Sequence, residues 1–326
     1  MIELKHLKFL LMAAAVCSAT AVFAASIPGY PTRPIRLLLP FAPGGSADAI
    51  GRIISPKLSE AMGQQWVVDN RGGAAGNIAA ETVARAAPDG HTVFLGLSTV
   101  VTANPALYKL SFSMEQDLQA VTMLTISQYI LVLNPSVPAD SVKELIALAK
   151  QKPRSLNYSS GGIGSPLHLA AELFQKRAGI EMVHVPYKSG GASAAAVLSG
   201  ETQFGVSSIA SSMQLVKAGR LKAIATTGLR RSQVAPDLPT LAESGFPGLE
   251  VSSWYGLLVP SGTFPSIVQR IRNEAIKAVQ APEVHQALAG QGLQVETSTP
   301  QEFAARIRSD TKTWAEIIKS AGIKAE

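Results

Sequence analysis

Short apolar runs alternate with segments of helical period along most of this chain. The runs fall at 35–39, 92–97, 129–133, 156–159, 183–186, 204–207, 222–226 and 256–259. Their length and their Gly and Pro flanks predict buried strands. Between them Ile50, Ile53, Ile54, Leu58 and Ala61 recur three and four apart, as do Val142, Leu145, Ile146 and Ala149, and then Ile267, Ile271, Ala275 and Ala278. That spacing puts each set on one helix face. Ser165-Pro166 supplies a cap followed by proline at the first helical position, and Asp140-Ser141 marks a second helix start. Strand–helix alternation predicts an α/β protein of mostly parallel sheets covered by helices on both faces. Crossings between two domains are expected at 98–104 outward and 226–230 back, with the C-terminal helices on the N-terminal sheet. The lobes are then 26–101 with 227–326, and 102–226.

Four stretches share one design, a glycine-rich turn between an apolar strand and a helix. They are Pro40-Phe41-Ala42-Pro43-Gly44-Gly45-Ser46-Ala47-Asp48, Arg71-Gly72-Gly73-Ala74-Ala75-Gly76-Asn77, Ser159-Ser160-Gly161-Gly162-Ile163-Gly164-Ser165-Pro166 and Pro186-Tyr187-Lys188-Ser189-Gly190-Gly191-Ala192-Ser193. A helix N-terminus carries unpaired N–H groups and partial positive charge, and glycine lets a ligand approach it closely. The pattern points to a small anion. Gly44, Gly45 and Ser46 serve either a tight turn or the anion; Asp48 fixes the loop or holds a water, or simply caps its helix. Ser160, Gly161, Gly164 and Ser165 face the same choice, with Ser165 a cap first. His168 lies in the first turn of its helix, as an anion contact or a packed ring. Asn77 is a cap or a ligand donor. Tyr187, with Gly191, Ala192 and Ser193 beyond it, covers the cleft or packs a strand end. Trp254 and Tyr255 read as core before ligand wall.

Composition narrows the class. Lys5 and Lys8 precede an apolar run from Phe9 to Val22, and Val22-Phe23-Ala24 offers the small residues of a signal-peptidase site. Residues 1–25 are therefore expected to be a signal peptide and the mature protein to be periplasmic. Cys17 is the only cysteine and lies inside that segment, with Val16 where a lipoprotein site wants a small residue. The formal charge of +6 falls to +5 without Glu3, Lys5 and Lys8, and its Lys and Arg are scattered. No basic run interleaved with aromatics suggests nucleic acid binding. His91, His168, His184 and His285 lack metal-ligand spacing, so no metal or other cofactor is expected. No nucleophile elbow, Walker loop or dinucleotide fingerprint is present, so no catalytic residue is assigned.

From about Tyr30 onward the chain resembles the substrate-binding proteins of tripartite tricarboxylate transporters, the Bug family. The resemblance rests on Tyr30-Pro31-Thr32-Arg33-Pro34-Ile35, Pro40 to Gly45 with Asp48, Asp69-Asn70-Arg71-Gly72-Gly73, Pro88-Asp89-Gly90-His91-Thr92 and Glu144 to Lys150. It extends through His184-Val185-Pro186-Tyr187-Lys188, Lys217 to Lys222 and Pro239 to Gly245, in this order. It implies a two-lobed periplasmic binding fold of type II character, with a ligand cleft between lobes. It implies a small carboxylate ligand, a membrane permease as partner and a monomer. By position, the family's carboxylate loops are Phe41, Ala42 and on to Asp48, and Ser160 to His168, acting largely through backbone amides and bridging waters. Two departures stand out. Ala75-Gly76 replace a frequent pair of glycines, and Ser207-Ser208 stand where a strand often ends in an acidic residue. Ser207 is included among the candidate contacts, but an amino group on the ligand is not implied. A sensor presenting its ligand to a receptor, or a small-molecule enzyme using the same cleft, are the competing readings. N-terminal sequencing of the exported protein is expected to begin at Ala25 or Ser26. A chain still beginning before Phe9 would rule the signal peptide out.

Overall fold

The computed structural model describes residues 29–187 and 189–324. The expected signal segment 1–25, its cleavage point and Cys17 lie outside the described residues, as does Lys188. The first half is built from β1 (Ile35–Leu39), α1 (Ser46–Met62), β2 (Trp66–Asn70), α2 (Asn77–Ala84), β3 (Thr92–Leu97), α3 (Ser98–Thr102) and α4 (Asn104–Leu107). β1 pairs in parallel with both β2 and β3. Ile35, Leu37, Leu38, Leu39, Val93, Phe94 and Leu95 are fully buried, as strands covered on both faces require. α1 buries Ala47, Ile50, Ile54, Leu58 and Met62, a stripe at helical spacing that faces the sheet.

β4 (Leu118–Leu133) and α5 (Val142–Gln151) lead into a second half of the same design. There β5 (Asn157–Ser160), α6 (Pro166–Ala178), β6 (Val183–Pro186), α7 (Gly190–Ser199), β7 (Phe204–Ser208), α8 (Ile209–Lys217) and β8 (Lys222–Thr226) follow. β5 is parallel to β6 and to β7. β9 (Ser252–Pro260), α9 (Pro265–Gln280), α10 (Pro282–Gly290), β10 (Gln294–Val295) and α11 (Pro300–Ala321) complete the described chain.

The strand order is β2-β1-β3-β9-β4 in the first half and β6-β5-β7-β4-β8 in the second. Each half thus holds three parallel strands, then an antiparallel strand, then one more. β4 belongs to both. Its residues 118–128 pair with β9, and its residues 129–133 pair with β7. The chain therefore passes from one half to the other inside β4, while the segment 98–104 folds into α3 and α4. The return runs from Thr227, whose N–H donates to Tyr129 O, to Val251, whose N–H donates to Thr227 O. Only the last five residues of β4 stood out in the apolar pattern. Its earlier part interleaves Thr, Gln and Ser with apolar residues, and β2 carries Asp and Asn at its end.

α11 meets both halves. Phe303 sits edge-on to Trp254 of β9, with ring centroids 4.8 Å apart. Trp314, Ile317 and Ile318, three turns on, join the core of the second half with Tyr158, Leu169, Phe174 and Phe204. One helix therefore seals both halves. Gly256 makes this possible: a Cβ there would lie 2.6 Å from Phe303 Cε1 and 2.9 Å from Thr122 O. Gly256→Ala is expected to lower unfolding free energy by about 1–3 kcal/mol, the cost of overpacking a dense core. Adding Phe303→Leu should recover part of it in urea denaturation. Equal stability of wild type and Gly256→Ala would show that the contact yields freely.

Candidate functional site

The carboxyl ends of the parallel strands converge on the middle of β4. Leu97, the last residue of β3, pairs with Tyr255, which pairs with Thr125 of β4. Ser207 and Ser208, the last residues of β7, pair with Ile130 and Tyr129 of β4. The loops leaving β1 and β2, and those leaving β5 and β6, follow strands of the same direction within each half. In open α/β sheets ligands bind outside the carboxyl ends of strands, where helix N-termini point inward.

The first loop is held by its own side chains. Gly44 has φ +98°, a conformation that favours glycine. Its N–H donates to Asp48 Oδ2 at 3.0 Å, and Arg52 Nε donates to both Asp48 oxygens at 3.0 Å. The Arg52 bond first, and the Gly44 amide second, hold the Asp48 carboxyl below its usual range. Asp48 is only 7% exposed. It therefore stays ionised while its charge is spent inside the loop. Gly45 differs from Gly44. Its φ is −91° and nothing lies within 4 Å of where a Cβ would be. Neither conformation nor packing demands glycine there. It is the N-cap of α1 and brings no side chain to cover the first amides. Phe41 is partly exposed, its carbonyl accepting from Asn70 Nδ2 at 2.9 Å. A Cβ on Gly72 would stand 3.4 Å from Ala42 N, so the loop after β2 lies against this one. Burial pushes the Tyr255 phenol up to about 12.

The turn between β2 and α2 is strained. Gly73, Ala74, Ala75 and Gly76 all have positive φ. An alanine in that region costs roughly 1–2 kcal/mol, and such strain gathers at functional sites. Asn77 is buried and accepts from Asn104 Nδ2 at 2.7 Å, while Asn104 Nδ2 also donates to Ala75 O at 3.0 Å. Gly76, not Asn77, is the N-cap of α2. Asn104 escaped the sequence reading because its partners lie 27 and 29 residues away.

The second loop is built differently. Ser160 is fully buried. Its Oγ lies 2.6 Å from His184 Nε2 and accepts from Gly162 N–H at 3.2 Å. Ser165 caps α6 by accepting the His168 N–H at 3.3 Å. Gly164 N–H donates to His168 Nδ1 at 3.0 Å. The His168 and His184 rings stack at 4.0 Å and 9°, and His184 stacks on Tyr158 at 4.8 Å and 18°. A Cβ on Gly161 would meet Gly190 N at 3.2 Å, and Tyr187 N–H donates to Ser160 O at 3.0 Å. The loop after β6 is thus brought against the loop after β5. In that loop Ser189 caps Ala192 N–H at 3.2 Å, and Gly191 is exposed. Ser207 is buried with its hydroxyl 2.5 Å from Ser212 Oγ. The structure therefore groups Phe41, Ala42, Gly44, Gly45, Ser46 and Asp48 in the first half, with Asn77 beside them. It groups Ser160, Gly161, Gly164, Ser165, His168, Tyr187, Gly191 and Ala192 in the second. Trp254 is fully buried, its Nε1 donating to Asp310 at 2.8 Å, and is core.

Burial pushes His168 down to about 3, with His184 adding to it, and pushes His184 down to about 4. Among the described residues, Tyr158, Glu172 and each other are the titratable groups that face these rings. An unfolded histidine titrates near 6.5. As pH falls from about 6.5 toward 4, the unfolded chain takes up protons that the folded chain refuses, so stability present above about 6.5 is lost below it. For His168 the slope is at most about 1.4 kcal/mol per pH unit. Urea midpoints should fall over this window less steeply in His168→Phe than in wild type. Identical slopes would mean that His168 charges freely in the native state.

Residues 50–323 match the family model described as the tripartite tricarboxylate transporter family receptor. Protein BugT of Bordetella pertussis is 33% identical over 310 residues, covering 94% of this chain and 95% of that protein. A solved R. palustris protein with adipate is 32% identical, with a TM-score of 0.75 over 90% of this chain and 99% of that one. MatC from Rhodopseudomonas palustris, solved with bound malate, is 28% identical, with a TM-score of 0.72 over 89% of this chain and 100% of that one.

Proposed function

This chain belongs to the tripartite tricarboxylate transporter receptor family, and from that premise we propose that it captures a small carboxylate in the periplasm and hands it to the membrane subunits of such a transporter. It acts as a monomer and leaves its ligand chemically unchanged. The observation that carries the ligand class is the uncovered N-terminus of α1. Gly45 leaves the N–H groups of Ser46, Ala47 and Asp48 without a side-chain cap, and nothing lies within 4 Å of the place its own Cβ would take. These are among the groups that a helix cannot satisfy internally. A carboxylate satisfies several at once, and charge-assisted bonds are roughly twice as strong as neutral ones. Neither 41–48 nor 160–168 contains a Lys or Arg, so the proposed donors are amides and dipoles, not cations.

In this reading Phe41, Ala42, Gly45 and Ser46 hold one end of the ligand, with Gly44 and Asp48 setting the loop and Asn77 bordering it. Gly161, Gly164 and Ser165 close on it from the second lobe, Tyr187, Gly191 and Ala192 border that side, and the buried Ser160 and Ser207 support it from behind. The lobes divide where the chain crosses, within β4 and along 227–251. Closure follows the ligand's differential affinity for the two states. Adipate and malate, the ligands of the two R. palustris structures, are dicarboxylates, which makes aliphatic dicarboxylates the first class to test. Calorimetry with adipate and malate and with their monoamides is expected to show more than about tenfold weaker binding for the amides. Gly45→Val should abolish binding while leaving the fold largely intact, since its side chain enters open space beside the first amides of α1. Equal affinity for acid and amide would remove the carboxylate reading. Undiminished binding by Gly45→Val would remove α1 from the site.

A further inference from the structure

His168 is 4% exposed and so is shielded from any ligand, yet its ring makes a bond that shapes the second glycine loop. Within that loop Gly162 N–H is taken by Ser160 Oγ, Gly164 N–H by His168 Nδ1, and Ser165 N–H by Gly162 O. This leaves the N–H groups of Gly161 and Ile163 uncommitted within the loop. Gly162 and Gly164 have φ of +113° and +74°, so the loop has a defined shape that needs holding.

We propose that His168 is a positioning residue for the ligand: its unprotonated Nδ1 anchors Gly164 and thereby sets the direction of the remaining loop amides. The surroundings select the required tautomer. With Nδ1 accepting, the proton must sit on Nε2, and Nε2 lies 3.9 Å from Glu172 Oε1. That carboxylate favours an N–H over a lone pair on its side. Tyr158 donates its hydroxyl proton to the same Glu172 oxygen and stacks on His184, which in turn covers the His168 face. Ring plane, tautomer and charge state are thus all set from inside the second half. A protonated ring would turn an N–H toward the Gly164 N–H, two donors with no acceptor between them. The low pKa already given agrees with this geometry. The arrangement explains why a receptor for an anion keeps a histidine beside its loop uncharged: the ring is needed as an acceptor, and its charge would cost the loop its shape.

This inference rests on the proposed ligand reading for its affinity readout, but its geometric readouts need no ligand. Three proteins separate acceptor from bulk: wild type, His168→Phe, which keeps a stacking ring without an acceptor, and His168→Asn, whose Oδ1 takes the place of Nδ1. In ligand-free wild type, nitrogen-15 spectra should show His168 as the neutral Nε2–H tautomer from pH 5 to 8. The Gly164 amide should be protected from hydrogen exchange in wild type and His168→Asn and unprotected in His168→Phe. With malate or adipate as the probe, His168→Phe should bind about tenfold or more weakly, and His168→Asn should recover most of that loss. An Nδ1–H tautomer, or a charged ring at pH 6, overturns the inference. So does an equal loss of affinity in both variants, or a Gly164 amide indifferent to the substitution. Wild-type protein that binds neither dicarboxylate counts against the ligand reading, and the tautomer and exchange results then still decide the anchor.

Discussion

One strand serving two sheets is the constraint from which the rest follows. β4 pairs with β9 along its first part and with β7 along its last five residues. Because β3 is antiparallel to β9 and β7 is antiparallel to β4, the parallel strands of the two halves point their carboxyl ends at each other. Each of those strands feeds a glycine turn and a helix. The helix N-termini, with their partial positive charge, are consequently gathered around the centre of β4 without any one loop having to be unusual.

The glycine loops take their positive character from backbone and keep the neighbouring ionisable side chains quiet. Asp48 is ionised but is neutralised by Arg52 and by the Gly44 amide. His168 and His184 are stacked and neutral. Capping differs between the two glycine loops. Ser165 and Ser189 cap α6 and α7 by side chain, whereas α1 has glycine at the cap. α9 and α10, preceded by Phe264 and Ala281, also lack a side-chain cap, so the bare end of α1 gains meaning only from the glycine loop it sits in.

Rigidity is also shared between the halves. α11 lays Phe303 on the first sheet and Trp314, Ile317 and Ile318 on the second. The return segment is tied to α11 as well: Arg306 bridges Glu250 at 2.9 Å and Asp310 at 2.9 Å, next to the Trp254 indole bonded to Asp310. The links between the halves are thus the middle of β4 near Gln128, the return segment from Thr227, and α11.

Local pattern was enough to read the α/β class, most strands, the caps at Ser141 and Ser165, and the four glycine turns. These depend on neighbours within a few positions, where apolar period and turn chemistry act. The ordered segments of the resemblance named the family. Pairings far apart in sequence lay beyond such reading. Asn77 finds Asn104, Ser160 finds His184, and Gly256 makes room for Phe303, each with a partner that no local signal names. The same holds for β4, whose Thr, Gln and Ser positions hid a strand that only its two sets of neighbours complete. His168 shows the division at one residue. Sequence placed it in the first turn of a helix beside a glycine loop, as an anion contact or a packed ring. Burial against His184 and Tyr158, with Gly164 N–H aimed at its Nδ1, made it a neutral acceptor instead, because desolvation disfavours the charged ring.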